Sequence, residues 1–298
     1  MRDSGITQIG AEVKSRRRRR LFTPVTVQAL LSVTMMVAPS VAATAQDADA
    51  AAEMARKLQD PLASISAIMT ENDILMKTGQ DDVSLAFSIQ PVKAFSFEKA
   101  GLNFIFRGVI PVMGLAPEAQ RPIVGEPLPP GTGDTWGMGD IVTQYFFSPK
   151  TEGGWKWGAG PMVSLKTRTD SKLAGPGWGA GPVGVLVGGT PVWSFAFIGG
   201  QLWGFDGDFS TSLFQPNVYY NFPGSPGLAV AYTGQITYDW KASADDALTV
   251  PLGVVISKTL SIGNGYGMEL QLGPYWNAVR PTGAAAWYIR YGINVLFP

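Results

Sequence analysis

The chain has no cysteine and no histidine among its 298 residues. Without cysteine it has no disulfide scaffold, no thiol catalysis and no cysteine-ligated metal. Without histidine it lacks the usual general base and the commonest metal ligand, which excludes Ser-His-Asp hydrolysis and His-ligated zinc. We therefore predict that the protein has neither a metal site nor a cofactor.

Charge and long apolar runs are also scarce. Only 15% of the residues are charged, and mean hydropathy is +0.10. Beyond the N-terminus there is no run of about 18 or more apolar residues, the length that a transmembrane helix requires. The chain is nevertheless 46% hydrophobic, with 36 Gly and 9 Trp. This composition suits neither a disordered chain nor a helical membrane protein.

The first 45 residues carry the pattern of an export signal. Lys14 and the run from Arg16 to Arg20 precede the apolar stretch from Leu21 to Val37, and the small residues Ala43 to Ala45 offer a cleavage site. We predict a signal peptide over 1–45, read by the general secretory route. A basic nucleic-acid patch or a retained anchor helix fits less well, because the basic run leads directly into an apolar segment that ends in small residues.

Removal of this segment affects the charge balance. Lys+Arg and Asp+Glu number 23 each, and the five arginines Arg16 to Arg20 belong to the predicted signal. The mature protein is therefore acidic, which argues against nucleic acid as a partner.

A short helix is predicted for the segment 46–62, which follows the signal. The segment is rich in alanine, Met54 and Leu58 stand four residues apart, and Pro61 ends the pattern. It is either a periplasmic lead-in to the next domain or a partial plug of a lumen.

The last segment of the chain, Trp287 to Pro298, alternates with period two. One face carries Trp287, Ile289, Tyr291, Ile293, Val295 and Phe297, and the other carries Tyr288, Arg290, Gly292 and Asn294. A strand in a soluble sandwich would alternate in the same way. Because the pattern recurs back along the chain with aromatic residues near the strand ends, it favours a closed barrel with lipid outside and a polar lumen.

Twelve segments of suitable length for a tilted membrane strand follow the helix. They are 64–76, 83–95, 101–113, 137–148, 155–167, 178–188, 193–203, 213–222, 227–238, 248–259, 265–276 and 286–298. Short connections alternate with longer ones at 114–136, 168–177, 204–212, 239–247 and 277–285. We predict an all-β fold over 63–298, a transmembrane antiparallel up-and-down β-barrel of about twelve strands. Ten is the fallback, because both termini should be periplasmic and the number must be even.

Polar side chains on the inner strand faces are the candidate lining of the lumen. Because a charge facing lipid costs about 2 to 4 kcal/mol at the bilayer midplane, Arg107, Glu269 and Arg290 should face inward. The complete candidate set is Asn103, Arg107, Asp140, Gln144, Lys156, Gln215, Asn217, Gln235, Glu269, Gln271 and Arg290. Its mixed charges and many amides argue against a strongly ion-selective ring. Alternatively, these groups pair with one another and fill the barrel.

Tryptophans near the strand ends are candidates for aromatic belts at the two membrane surfaces, where amphipathic rings are favoured. They are Trp155, Trp157, Trp178, Trp193, Trp203, Trp276 and Trp287. Core tryptophans of a soluble protein are the alternative interpretation.

Several motifs, in their order along residues 50–298, resemble one known family. They are Ala55–Ser64, Gly137–Asp140, Phe146–Pro149, Gly153–Gly158, Trp178–Pro182, Phe214–Pro216, Thr237–Trp240, Thr249–Pro251 and Leu296–Pro298. Together they resemble the bacterial outer-membrane proteins called the meta-pathway phenol-degradation or transporter family, often mislabelled "neuromedin U". The resemblance implies a barrel in the outer membrane of a Gram-negative bacterium and a link to phenols or other hydrophobic molecules. The chain departs from it by ending on Pro298 and by the proline-rich loop 114–136.

We predict a narrow channel or transporter for small solutes, hydrophobic or aromatic ones among them, because about twelve strands enclose less space than an open porin. The expected partners are outer-membrane lipid, the outer-membrane assembly machinery and a small-molecule solute. The alternative is a non-conducting structural or adhesive barrel that acts through its outer loops, loop 114–136 in particular. An outer-membrane hydrolase is disfavoured, since no nucleophile stands beside an obvious base.

Overall fold

The computed structural model describes residues 45–78, 82–115, 135–151, 153–173 and 175–298. Within these ranges the chain forms one helix, α1, a short 3-10 turn at Glu98–Ala100, and fifteen β-strands. The elements are α1 (Ala45–Gln59), β1 (Ser66–Thr78), β2 (Asp82–Phe97), β3 (Leu102–Leu115), β4 (Thr135–Met138), β5 (Ile141–Pro149), β6 (Lys156–Leu165), β7 (Gly179–Gly189), β8 (Trp193–Gly204), β9 (Ser210–Asn221), β10 (Leu228–Tyr232), β11 (Ile236–Asp239), β12 (Leu248–Gly253), β13 (Val255–Gly263), β14 (Tyr266–Val279) and β15 (Trp287–Phe297). No helix in these ranges is long and apolar enough to cross a membrane.

The strands form one closed antiparallel barrel. Strands that lie side by side around the barrel pair in antiparallel fashion, and β15 pairs with both β14 and β1, which closes the sheet. Three pairs, β4 with β5, β10 with β11 and β12 with β13, are each one barrel strand with an interruption, since both members pair with the same neighbour. The barrel therefore has twelve strands, and the predicted number is confirmed. The weakly patterned segment 64–76 is β1, where Asp73 faces Arg290 of β15.

Alternation along the strands puts one set of side chains inside the barrel and the other outside, and the inner set is largely polar along β15 but apolar along β7, where Val183, Val185 and Val187 are buried. In β15, Tyr288, Arg290 and Asn294 are buried, whereas Trp287 and Ile293 are exposed on the outer face. This is the division that the period-two pattern of the last segment predicts.

The two ends of the barrel differ in their connections. At the short-turn end, strands are joined through 98–101, 150–155, 190–192, 222–227 and 264–265. The other, the long-loop end, carries the connections 166–178, 240–247 and 280–286. The predicted loop 114–136 begins and ends within β3 and β4, and its centre, 116–134, lies outside the described residues.

One connection at the long-loop end is much shorter than predicted. The predicted loop 204–212 is reduced to 205–209, because Gly207 adopts a left-handed φ of +83° and the N–H of Gly204 bonds the carbonyl of Phe209 at 2.9 Å. Glycine makes such a tight turn possible without steric strain. The other short connection joins Thr78 of β1 to Asp82 of β2.

Helix α1 lies against the inner wall at the short-turn end. Met54 and Leu58 pack with Ala67 and Leu296 in one buried cluster. Arg56 donates hydrogen bonds to the carbonyls of Thr190 and Pro191 in a short turn. Apolar packing and polar contacts thus both hold α1 inside this end, an arrangement closer to the plug than to the lead-in interpretation.

The residues after α1 continue this attachment. Leu62 is 3% exposed and packs with Ile105 and Phe146 of the barrel wall. Lys156 forms an ion pair with Asp60. The predicted helical segment 46–62 therefore has both its helix and its final residues in contact with the barrel. The predicted signal peptide, except for its last residue, lies outside the described residues.

Candidate functional site

Two neighbouring cavities lie in the lumen among the described residues. One, of about 100 Å³, lies toward the long-loop end, and we call it the loop-side cavity. The other, of about 80 Å³, is bounded by Leu58 to Pro61, and we call it the helix-side cavity. Five side chains line both cavities and therefore separate them. This polar layer consists of Glu71, Gln90, Arg107, Gln215 and Arg290.

Arg290 is the most highly connected member of the polar layer. Its Nε and Nη2 donate to the two carboxylate oxygens of Asp73 at 2.8 Å each, and Nη2 also lies 2.6 Å from Oε1 of Glu71. Nη1 donates to the carbonyl of Thr233 at 2.8 Å. A bidentate arginine–carboxylate pair fixes orientation as well as charge. Arg290 therefore joins β15 to β1 and to the segment between β10 and β11.

Two tyrosines support Arg290 from the long-loop side. The rings of Tyr275 and Tyr288 stack with centroids 4.9 Å apart, and Cζ of Arg290 lies 5.3 Å from each centroid. This distance is within the range of cation–π attraction. The hydroxyl of Tyr275 also accepts the N–H of Thr233 at 2.9 Å. The position of the guanidinium group is thus fixed by packing as well as by ion pairs.

Arg107 is held by amides rather than by carboxylates. Its Nη2 donates to Oε1 of Gln90 at 2.6 Å, and its Nη1 donates to Oε1 of Gln144 at 3.1 Å. Gln90 in turn donates to the hydroxyl of Ser88 at 2.9 Å. Among the described residues, the hydrogen bonds of Arg107 go to neutral amide acceptors and to no carboxylate. Arg107 is therefore the member of the layer with most positive charge to offer an incoming group.

The polar layer and Asp73 contain two carboxylates and two guanidinium groups. Asp73 and Arg290 are buried, and Glu71 and Arg107 are half-buried. Opposite charges held this close inside a barrel cancel at a distance, so the layer presents many hydrogen-bonding groups and little net charge. Such a layer can discriminate among solutes by size and hydrogen bonding more readily than by the sign of charge.

Seven of the eleven sequence-predicted lining residues border a cavity. They are Arg107, Gln144, Gln215, Asn217, Gln235, Gln271 and Arg290. Three of them, Arg107, Gln215 and Arg290, belong to the polar layer. Gln144 and Gln235 line the loop-side cavity, and Asn217 and Gln271 line the helix-side cavity.

The other four predicted residues are not among the side chains that line the two cavities, and each has local partners. Asn103 accepts the hydroxyl of Ser96 near the short-turn end, and Lys156 pairs with Asp60 there. Asp140 instead organises a connection at the long-loop end.

The carboxylate of Asp140 is surrounded by donors from one loop. It accepts the N–H groups of Thr167, Arg168 and Gly177 at 2.8 to 3.0 Å, and Nε of Arg168 lies 3.2 Å away. These contacts fix both ends of the connection 166–178.

Glu269 is inside the wall beneath α1 and is 1% exposed. Its Oε2 accepts the side-chain amides of Gln271 at 2.7 Å and Asn294 at 2.8 Å. The carboxylate thus connects β14 to β15 on the inner face.

Sequence reasoning missed five residues that build the site: Glu71, Asp73, Gln90, Tyr275 and Tyr288. Glu71 and Asp73 stand two residues apart on β1, so that both point inward, and this spacing was a readable signal. Alternation puts Tyr288 on the same strand face as Arg290, but neither tyrosine carries a sequence signal for its packing on the guanidinium group.

The seven predicted belt tryptophans are all exposed on the outer wall. Trp155, Trp157 and Trp193 lie near the short-turn end, and Trp178, Trp203, Trp276 and Trp287 lie near the long-loop end. Trp136 and Trp240 are exposed as well, by 51% and 62%. Large apolar side chains between these groups, such as Ile256 and Ile293, are also exposed. Apolar wall area of this kind is unusual for a protein whose outer surface faces water.

A solved outer-membrane channel from Pseudomonas putida F1 has a similar fold. The match covers 79% of this chain and 96% of the channel, with a TM-score of 0.57 and 13% sequence identity. At that identity the likeness concerns the fold. No family model matches the chain, and no curated protein matches it significantly.

Two other barrels are more distant. Outer-membrane phospholipase A from Escherichia coli matches with a TM-score of 0.31 and 9% identity, over 83% of this chain and 98% of that one. A variant of the TodX monoaromatic hydrocarbon channel matches with a TM-score of 0.33 and 10% identity, over 78% of this chain and 88% of that one. These TM-scores are too low for either protein to inform the function.

Proposed function

We propose that the protein is a narrow outer-membrane channel for small solutes, with a lumen divided by the polar layer and closed at the short-turn end by α1. The observation that supports this proposal most strongly is the pair of cavities that meet at the polar layer inside a closed twelve-stranded barrel. The similar fold of the Pseudomonas putida channel supports a channel role.

The same proposal places the protein in the outer membrane of a Gram-negative bacterium, delivered there through a signal peptide and the barrel assembly machinery. The exposed apolar wall and its two groups of tryptophans support a lipid environment. The short-turn end, with both α1 and the C-terminus, then faces the periplasm. The resemblance to phenol-degradation or transporter proteins supports an aromatic solute.

Helix α1 is the part that must move for solutes to pass along the axis. Residues Leu58 to Pro61 line the helix-side cavity, so this segment is its floor. The polar contacts that hold it are few: the hydrogen bonds of Arg56, the ion pair of Asp60 with Lys156, and the paired amides of Gln59 and Asn221. These contacts contribute modestly, so the apolar packing of Met54 and Leu58 is the main cost of displacing α1.

The solute class follows from the lining. The loop-side cavity combines apolar side chains, among them Leu75, Val109 and Leu213, with the polar layer at its base. An apolar engineered cavity of about 150 Å³ holds benzene, so a cavity of this order suits one small ring rather than a sugar. A small uncharged aromatic molecule, able to donate or accept one hydrogen bond, fits this arrangement best.

Single-channel conductance in a planar bilayer tests the proposal. Refolded mature protein should give small, intermittent conductance, and phenol or benzyl alcohol should block it more strongly than glucose at equal concentration. Equal block by all three solutes would refute the solute class. A barrel that stays silent at every voltage would refute the channel.

One observation favours the alternative of a non-conducting barrel: α1 and the hydrogen-bonded polar layer together occupy the lumen. Under this alternative, the protein would show no conductance, and removal of α1 would not produce any. Surface binding through loop 114–136 would then be the function to measure, by comparing adhesion of cells that carry the full chain with cells that carry a chain lacking this loop.

A further inference from the structure

Glu269 is a buried carboxylate with one oxygen left open. Its Oε2 accepts the side-chain amides of Gln271 and Asn294, but its Oε1 has no hydrogen-bond partner among the described residues. The residue is 1% exposed, so bulk water does not reach it. A buried carboxylate is costly unless a positive charge and hydrogen bonds compensate it. Oε1 therefore requires a partner that its neighbouring side chains do not supply.

The charge of Glu269 also lacks a counter-charge from the protein. No lysine or arginine among the described residues forms an ion pair with it. Other buried carboxylates differ in this respect, since Asp73 lies 2.8 Å from Arg290 and Asp140 lies 3.2 Å from Arg168. A positive charge brought to Glu269 from outside the chain would make it equivalent to these pairs.

Two buried hydroxyl groups on β13 lie beside the open oxygen. Thr259 stands directly opposite Glu269, and Ser257 stands opposite Gln271, one inward-facing position along. They are exposed by 0% and 1%, and neither hydroxyl has a hydrogen-bond partner among the described residues. The Ser257 hydroxyl interacts with the Glu269 carboxyl at a separation or angle outside a regular hydrogen bond. We call Oε1 of Glu269 and these two hydroxyl oxygens the oxygen cluster.

Helix α1 lies over the oxygen cluster on the lumen side. A Cβ at Gly267, the next inward-facing position on β14, would lie 2.8 Å from Sδ of Met54. A Cβ at Gly227 would lie 3.4 Å from Cβ of Ala51 and 2.4 Å from the carbonyl of Thr259. Glycine at both positions lets the helix approach the wall this closely. The cluster is therefore enclosed between α1 and the barrel wall.

Three kinds of partner can be compared for the oxygen cluster. A proton on the carboxyl would provide one donor, enough for only one of the two hydroxyl oxygens. A water molecule would leave the negative charge uncompensated. A cation would supply the missing charge and bind all three oxygens at once. Carboxylate and hydroxyl oxygens are hard ligands that suit hard cations, and such a site needs neither cysteine nor histidine.

We propose that the oxygen cluster binds one monovalent alkali-metal cation, such as Na⁺, beneath α1. A single carboxylate balances a single positive charge, whereas Ca²⁺ and Mg²⁺ carry a second charge that this cluster does not balance. The bound ion joins β13 to β14 at the part of the wall on which α1 rests. The site requires the closed barrel and α1, and it is independent of whether the barrel conducts.

The test is the dependence of unfolding on the cation. Refolded mature protein in lipid vesicles is titrated with urea in NaCl and in choline chloride at equal ionic strength. Because only the folded state has the site, each tenfold rise in Na⁺ above its dissociation constant should raise the ratio of folded to unfolded protein about tenfold. Choline, a bulky organic cation, should have no such effect. Equal stability in the two salts would overturn the proposal and assign a proton to Glu269, and stabilisation by CaCl₂ alone would overturn it as well.

Variants locate the effect. Glu269→Gln removes the charge and keeps the shape, so it should abolish the dependence on Na⁺. Ser257→Ala removes one ligand and should raise the Na⁺ concentration needed for stabilisation about tenfold. The matched control for the second variant is Ser164→Ala, which removes another buried hydroxyl without a partner among the described residues, on β6. Glu98→Gln, at an exposed carboxylate, is the control for the first. Both controls should keep the wild-type dependence on Na⁺.

The linewidth of the sodium NMR signal separates binding from a general effect of salt. The wild-type protein should broaden the signal, and Glu269→Gln should not. Equal broadening by the two proteins would overturn the site, as would a wild-type dependence on Na⁺ in Glu269→Gln. Ser257→Ala retains the carboxylate and serves if Glu269→Gln does not fold: an unchanged Na⁺ requirement in this variant would equally overturn the proposal.

Discussion

At the scale of single residues, Arg290 carries more of the site than any other side chain. It neutralises Asp73 and Glu71, binds the carbonyl of Thr233 and packs beside two stacked tyrosines. It therefore supports the polar layer and also holds the backbone of the segment between β10 and β11. Loss of this one cation leaves two carboxylates close together inside the barrel.

Replacement of Arg290 by methionine tests this role. Breaking a buried ion pair by removal of one partner costs about 3 kcal/mol or more, because the remaining charge stays buried without compensation. Arg290→Met should lower the free energy of unfolding in lipid vesicles by about that amount, measured by urea titration. The double variant Asp73→Asn with Arg290→Met should recover part of the loss. Arg280→Met, an exposed loop control, should change little, and an equally small effect of Arg290→Met would contradict the assigned role.

Two matched substitutions test the charge balance of the polar layer. Glu71→Gln removes a negative charge and Arg107→Gln removes a positive one, and each replacement introduces the same uncharged amide. The first should shift the reversal potential in a KCl gradient toward anion preference, and the second toward cation preference. Shifts of the same sign, or no shifts, would show that ions do not pass this layer.

At the scale of elements, the long-loop end is tied together by one carboxylate. Oδ1 of Asp246, in the connection 240–247, accepts the N–H of Thr282 in the connection 280–286 at 2.7 Å. Pro281 and Ala284 of the second connection line the loop-side cavity. Asp246 therefore influences the outer entrance to that cavity.

The hydrogen bond from the backbone of Thr282 holds the pKa of the Asp246 carboxyl below its ordinary value of 3.8. Because the pKa is lower in the folded state, the tie between the loops is fully present above the ordinary value and is lost as pH falls through the lowered one. The amide NMR shift of Thr282 should titrate with this lowered pKa, and Asp246→Asn should abolish the titration. A titration at or above 3.8 would contradict the tie.

The elements also show what could be predicted from the sequence. Period-two alternation identified every barrel strand, including weakly patterned β1, because parity demanded a twelfth. It could not reveal that three barrel strands are interrupted, since an interruption depends on which residues face each other across neighbouring strands. Alternation also could not predict the partners of Asp140 and Lys156. The partners of Asp140 lie in the connection 166–178, and the partner of Lys156 lies in the segment after α1.

At the scale of the whole molecule, the barrel wall is closed by β1 and β15, and the lumen is closed by α1. The sequence predicted single polar residues that face the lumen. It could not predict that some of them form a layer between two cavities, because that arrangement arises only when distant strands meet in the closed barrel. The helix was predicted, and its place inside the short-turn end was one of two readings left open. Closure by α1 is the central claim of the proposed function.

A reversible lock on α1 tests that claim most directly. A Cβ at Gly267 of β14 would lie 3.3 Å from Cβ of Met54, close to the separation of a disulfide, so the pair Met54→Cys and Gly267→Cys should form one in this cysteine-free chain. The measurement is single-channel conductance of this variant before and after reduction, with each single variant as control. We predict no conductance when the disulfide is formed, and channel openings like those of the single variants once it is reduced. Equal conductance in both states would contradict the claim that α1 closes the channel.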